Sequence, residues 1–476
     1  MSAPLTGDTN REHLSKTIAV GFLIVVVFTA LAHGAVEPWA VFVFEAMIVV
    51  LLVLWSIKVI ADRRLKLHIP QLALPIAALT AVGLMQSIAF SDGSGRWLSL
   101  SKNVGFTRAA VTVVVFLLVS FLIAANFFSS RERLSTLAHF HVIYGLAMAL
   151  FALVQHFTWN GKFFWLRATP VTSPFGPFAN HNHFAGYMEL LIPVPIALIF
   201  TRAVTAELRV LFAFAAIMMG MAGVLSLSRG GIISIAAAMM FLVVMSLWLP
   251  RKREKTASKG GLAHLTSQVA VVIAIAGVIS AGILWIGADP VIKRVTQGQF
   301  SSSDSPKETF YSSRGWVWRD TLTMIRANPL LGVGRGAYET AFSIYTRSDG
   351  SLRVPQAHND YLKILDDCGV VGGLIALWFI AIVFRAVARG ARSRDPLYAG
   401  LALGSGAGIF AMLVHSLFDF NLQLPSNALL FLLLSAVAVR VGAVVGKKEG
   451  SALIKRHSVE HETESVSTAS LARGAS

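Results

Sequence analysis

WAVFVFEAMIVVLLVLWSIKVIA, residues 39–61, carries one acidic residue, Glu45, and one basic residue, Lys58. A run of this length and apolarity crosses a ~30 Å hydrocarbon core as a helix. Comparable runs recur along the chain on both sides of it. They predict about twelve spans, near 17–36, 39–61, 70–91, 107–127, 137–158, 183–201, 208–228, 230–249, 268–287, 369–388, 397–417 and 426–445. The composition follows from this pattern. The 476 residues are only 14% charged, where a soluble chain carries about a quarter. The expected fold class is all-α, a polytopic membrane bundle with one large helical loop. Residues 1–446 form the bundle, and the polar, Ser- and Glu-containing segment 447–476 reads as a disordered cytoplasmic tail.

The net charge of +16 suggests a nucleic-acid partner until its distribution is read. The segments ADRRLK (61–66), RKREKTASK (251–259), RAVARGARSR (385–394) and GKKEG (446–450) all fall on one side if the spans alternate. That is the positive-inside pattern, so the expected partner is a lipid bilayer, with no nucleic acid. Both termini are then cytoplasmic, and residues 159–182, the Ser228–Gly231 junction and the loop 288–357 lie outside. Gly21–Phe28 followed by Thr29-Ala30-Leu31-Ala32 resembles a signal peptide. A retained first helix is the preferred reading, since the run is nearly long enough to span. The lone Cys368 excludes an intrachain disulfide and a cysteine metal cage. No internal repeat is evident.

Against this background VPQAHNDYLKILDDCGVVGG (354–373) is anomalous, because it sets a histidine, an asparagine and three aspartates ahead of an apolar run. Asn359 and Asp360 suit a helix N-terminus, where they accept orphan backbone N–H groups. His358 is less well explained, because imidazole caps poorly but accepts protons well. Lys363 and Asp367 form an i,i+4 pair. Arg229 in LSLSRGG (225–231) sits at the outer end of the seventh span, where arginine is expensive and small neighbours leave room for a ligand. A snorkelling anchor is the alternative. Arg314 in YSSRGWVWRD (311–320) is a second outward arginine, and two guanidinium groups suit a diphosphate.

PFGPFANHNHFAGYMEL (174–190) clusters Asn180, His181, Asn182 and His183. His-x-His spacing permits a metal, but no third ligand is evident, and hydrogen bonding by Asn182 to a sugar or headgroup is preferred. Glu45 and Glu189 are intramembrane carboxylates, functional by default unless paired with a bundle hydroxyl or histidine. PLLGVGRGAY (329–338) lacks a Walker lysine and reads as a tight turn. In the long loop, Trp318, Leu322 and Ile325 predict an amphipathic helix stopped by Asn328-Pro329, and Ala337, Ala341 and Ile344 a second.

Taken in order, these motifs resemble the O-antigen ligase and polymerase family of bacterial envelope glycosyltransferases. The likeness is sharpest over about 174–373. It rests on FANHNHFAGYMEL (178–190), Ser228-Arg229-Gly230-Gly231, Arg314, the turn 329–334, and His358-Asn359 with Asp367, Gly369 and Gly372 downstream. The family usually has glutamate where this chain has Asp367. The resemblance implies a multi-pass protein of the bacterial inner membrane with its site facing the periplasm. It also implies a glycan donor on undecaprenyl pyrophosphate, and a glycolipid or glycan acceptor, lipid A-core in the ligase case. His358 would be the catalytic base, Arg229 and Arg314 the diphosphate ligands, and Asn182, Asn359 and Asp367 supporting groups, with no cofactor or metal. A polysaccharide polymerase is the nearest alternative, and a lipid-linked glycan flippase or transporter the rival from another class.

Overall fold

The computed structural model describes residues 5–65, 67–91, 97–168, 174–246, 314–347 and 353–447, with scattered positions between 269 and 280. Its helices are α1 (Leu5–Leu31), α2 (Pro38–Asp62), α3 (Ala73–Gln86), α4 (Val104–Phe127), α5 (Arg131–Phe157), α6 (His181–Leu191), α7 (Pro193–Phe200), α8 (Ala206–Leu225), α9 (Arg229–Ser246), α10 (Gly315–Ala327), α11 (Tyr338–Tyr345), α12 (Asp360–Ala391), α13 (Pro396–His415) and α14 (Pro425–Lys447). Two short hairpins, Ala89–Ser91 with Trp97–Ser99 and Lys162–Phe163 with Arg167–Ala168, are the strands among the described residues. This is an all-α polytopic membrane architecture.

Among the described residues nine helices are long and apolar enough to span, with α6 and α7 joined into one span. The expected third and eighth spans are present as the shorter apolar helices α3 and Arg229–Met245. The third ends at Gln86 and turns into the first hairpin, because Gln86 is drawn sideways to the carbonyls of Leu331 and Asp367 at 2.6 and 2.8 Å. The expected ninth span (268–287) lies largely outside the described residues, as do most of the loop up to Arg314, the basic segment 251–259 and the tail beyond Lys447.

The α6–α7 span and α13 form the centre of the bundle, while α2 and α12 are its rim: 94% of the most apolar stretch of the α6–α7 span is buried, against 22% of that of α12. Small residues make the close approach possible. Gly400, Gly404 and Gly408 share one face of α13, and a Cβ at Gly404 would lie 2.7 Å from the Val194 Cα. Helices in lipid gain no hydrophobic drive from meeting each other, so tight van der Waals contact of this kind carries the association.

The long-loop helices cap the bundle. The buried face of α10 is Trp316, Val317, Asp320, Thr321 and Met324. The expected stripe through Leu322 is thus displaced by one residue, and Leu322 points outward. Polar partners decide this: the Thr321 hydroxyl meets the Tyr338 hydroxyl at 2.8 Å, and Asp320 accepts from the Arg347 N–H and pairs with Arg319. These contacts hold the Asp320 carboxyl below its ordinary range despite its burial. Of the second expected stripe, Ala337 and Ala341 are buried and Ile344 is exposed.

The glycine-rich turn 329–336 is a structural clasp. It grips α12 at Gly369, where the helix is interrupted by a left-handed residue (φ 62°). The Val370 and Val371 N–H groups donate to the Pro329 and Leu330 carbonyls, and the Val333 N–H to that of Asp366. A Cβ at Gly332 would strike the Asp366 carbonyl, and one at Gly369 the Leu330 carbonyl. Both positions therefore require glycine twice over, for φ and for space.

Candidate active site

The segment 416–423, between α13 and α14, organises the site. The N-terminus of α12 is zipped onto it. Asn359 caps the helix, its Oδ1 accepting from the Tyr361 and Leu362 N–H groups at 2.9 and 3.0 Å, while its Nδ2 donates to the Leu417 carbonyl. Buried Asp360 accepts from the Ser416 hydroxyl at 2.9 Å, the Leu422 N–H at 3.2 Å and the Gln423 amide at 3.3 Å. These two residues are caps and clamps. The residue before them is left in an unusual position: His358 has φ 50°, a conformation uncommon outside glycine and therefore held by its surroundings. From the other side, the Trp318 indole donates to the Ala357 carbonyl at 2.9 Å, tying α10 to the same turn.

His358 Nδ1 lies 3.2 Å from Asp419 Oδ1. Asp419 is 1% exposed. Burial opposes its ionisation, but the His358 hydrogen bond and the charges of His183 and Arg314 outweigh it and hold the carboxyl well below its usual range. An ionised carboxylate only accepts, so Nδ1 carries the proton and Nε2 is left as the ring's proton acceptor. The side chain is one-third exposed. Arg314 NH2 faces the other carboxylate oxygen at 3.9 Å, and its NH1 donates to the Phe418 carbonyl. His183 Nε2 is 4.0 Å from Asp419 Oδ1. The Phe420 ring stands edge-on between the two histidines, 4.8 Å from His183 and 5.0 Å from His358.

A second buried pair lies alongside. His415 Nδ1 meets Glu189 Oε2 at 2.9 Å, and neither side chain is more than 1% exposed. This is the histidine partner that an intramembrane Glu189 needed. Gly230 packs on this pair: a Cβ there would lie 2.8 Å from His415 Cδ2 and 3.3 Å from Phe418 Cβ. The start of α9 is thereby seated on the 415–419 segment. Ser228 caps it through the Gly231 N–H at 3.1 Å, and Arg229 is exposed at the same end.

The structure thus joins His358, Asn359 and Arg314 directly through residues 417–419 and brings Arg229 in through Gly230. Asn182 is half-buried on the first turn of α6, beside His183. Asp367 stands apart. It is two turns down α12, paired with Lys363 and accepting from the Gly336 N–H, so it belongs to the clasp. Glu45 lies on α2 and touches none of this cluster. Among the described residues no three His, Cys, Asp or Glu side chains are grouped as a metal site.

Comparison with known families matches residues 214–379 to the O-antigen ligases. The match runs from α8 through Arg229, Arg314 and His358 to the middle of α12. Over this segment the chain is similar to the O-antigen ligase family. Comparison with curated proteins gives no match. The family's members are membrane glycosyltransferases of the ligase and polymerase type, acting at bilayers on lipid-linked glycans. Two prominent groups of the candidate site, Asp419 and Phe420, lie beyond the matched segment and escaped the sequence reading. Their one signal is LFDFNLQ (417–423), an acidic residue in the short connection between two apolar runs.

Proposed function

We propose that this protein transfers a glycan from undecaprenyl pyrophosphate to an acceptor hydroxyl, lipid A-core being the acceptor, at the periplasmic face of a bacterial inner membrane. The observation that carries the reading is the Asp419–His358 pair, with Arg314 3.9 Å from the same carboxylate. The diphosphate is already a good leaving group, so the protein has two tasks. It must remove the acceptor proton and stabilise charge growing on the departing phosphate.

His358 Nε2 takes the proton as the acceptor oxygen bonds to the anomeric carbon. The bond from that carbon to the phosphate oxygen breaks, and its electron pair leaves with undecaprenyl pyrophosphate. Arg229 and the N–H groups of Arg314 not bound to Phe418 receive that charge. Asp419 stabilises the imidazolium that forms and fixes the ring's tautomer. One displacement inverts the anomeric centre with no covalent enzyme intermediate. Asn182 borders the site on α6 as a sugar-bonding group, and Asp367 supports it through the clasp.

Deletion of the gene, followed by gel analysis of lipopolysaccharide, tests the reading. Loss of the long-chain ladder with accumulation of free lipid-linked polymer is the expected result. Single repeats attached to the core would make the protein a polymerase instead. An unchanged gel with donor trapped on the cytoplasmic side would make it a flippase.

A further inference from the structure

At the end of the bundle opposite His358 lies a cavity of about 640 Å³, within the range of built ligand sites. It is walled by α12 and α14 and floored by residues 68–71. Its rim is cationic: Arg385 and Arg389 project from α12 and Lys447 from the end of α14. Among the described residues no carboxylate pairs with any of the three. Its inner part is apolar. Ile382 and Val439 lie one to two turns deeper along the same spans, towards the membrane centre.

The helices create this space by construction. Gly442 approaches α12 closely, a Cβ there lying 2.7 Å from the Ala386 carbonyl oxygen. Beyond that crossing, Ala443 and Gly446 leave a notch that larger side chains would fill. The floor is pinned independently, because Asn126 bonds both the His68 N–H and the His68 carbonyl, at 2.8 and 2.9 Å. Burial, then the charges of Arg440 and Lys447, lower the pKa of the His68 imidazole, which marks a positive field in the cavity. The neutral ring still donates one hydrogen bond. The positive-inside rule places cations at this end of a bundle but does not call for a notch between two spans.

We propose that this cleft binds an anionic phospholipid, the phosphate held by Arg385, Arg389 and Lys447 and the acyl chains lying along Ile382 and Val439. An amphiphile is the occupant that matches a cationic rim continuous with an apolar, membrane-embedded wall. Basic pockets between spans recognise headgroups in this way. The inference rests on the membrane bundle and is independent of the glycosyl-transfer reading.

The test uses the full-length protein in phosphatidylcholine nanodiscs containing a minor fraction of phosphatidylglycerol. Phosphatidylglycerol retained per protein is measured after extraction into detergent. Wild type should retain it selectively over phosphatidylcholine. Each cation near a bilayer surface contributes a factor of about five, so Arg385→Gln with Arg389→Gln should weaken retention about twenty-five-fold. Gly446→Leu keeps every charge and fills the notch, and it should also lose retention. Its new Cβ meets only the flexible Arg389 side chain, at 3.1 Å, so it guards against misfolding of the double variant. Retention unaffected by Gly446→Leu would overturn the proposal, as would equal retention of phosphatidylcholine. Displacement of the lipid by excess inorganic phosphate would reassign the cleft to a free anion.

Discussion

His358 and Asp419 meet at 3.2 Å across 61 residues of chain, and the carboxylate that orients the ring is almost wholly buried. The pairing divides the labour between them. If His358 is the base, His358→Ala should lower transfer by roughly two to four orders of magnitude, the usual range for such a group. Asp419→Asn should also lower it, by about a hundredfold, by releasing the ring's tautomer. Both variants should still bind the lipid-linked donor. Near-normal turnover by His358→Asn would remove the base from the mechanism, because asparagine tolerates the left-handed backbone at that position but is not a proton acceptor.

The same carboxylate sets an acid limit. Its pKa is depressed in the fold, so its stabilising contribution is complete above the unfolded value of about 4. The contribution is lost progressively as pH falls from there through the folded value. Thermal unfolding in detergent should therefore show stability declining below about pH 4, and Asp419→Asn should flatten that limb. An identical acid limb in the variant would show that Asp419 does not control it.

Arg314→Lys keeps the charge and loses the planar fork that bonds the Phe418 carbonyl while facing Asp419. Hydrogen bonds to charged groups are worth about 1.5–3 kcal/mol, so donor affinity should fall about ten- to a hundredfold. Arg229→Lys should behave alike. Donor binding by calorimetry in nanodiscs checks both. Unchanged affinity with reduced turnover would confine the arginines to the transition state.

Gly230→Ala should force the α9 start away from His415, whose Nε2 would stand 2.9 Å from the new carbon. Overpacking of this kind costs about 1–3 kcal/mol, and the displaced Arg229 should reduce donor affinity as well. His415→Ala, which strands buried Glu189, should destabilise more, by about 3–5 kcal/mol. Chemical denaturation alongside donor binding separates the two. If Gly230→Ala binds donor normally, Arg229 does not depend on this seat.

Sidedness is testable with impermeant thiol labelling in a Cys368→Ser background. Arg353→Cys, at an 82% exposed side chain near the site, should label in intact spheroplasts. Arg394→Cys, at the opposite end, should label only after lysis. The reverse pattern would put the site in the cytoplasm.

The membrane class was written in composition and run length, because crossing hydrocarbon is a local demand that about twenty consecutive residues must meet by themselves. The helix start at Asn359 was legible for the same reason, since a cap acts on N–H groups two or three residues away. His358, Arg229 and Arg314 stood out there only as candidates: His358 because capping explained it poorly, Arg229 because arginine is costly at a span end, Arg314 as a second outward guanidinium. What they touch was not legible. Asp419 is one acidic residue in a short connection, and only the packing of α12 against the 416–423 segment gives it His358. The α10 face was misread because Asp320 and Thr321 pay for burial with tertiary hydrogen bonds that no periodicity records. The clasp is a similar case: Gly332 and Gly369 looked like a turn and a helix contact, and the fold sets each against the other's strand of backbone. Secondary structure and membrane insertion depend on near neighbours, so sequence determined them. Pairings such as His358–Asp419 and Glu189–His415 join distant residues, and only the packed bundle decided which charges were desolvated together.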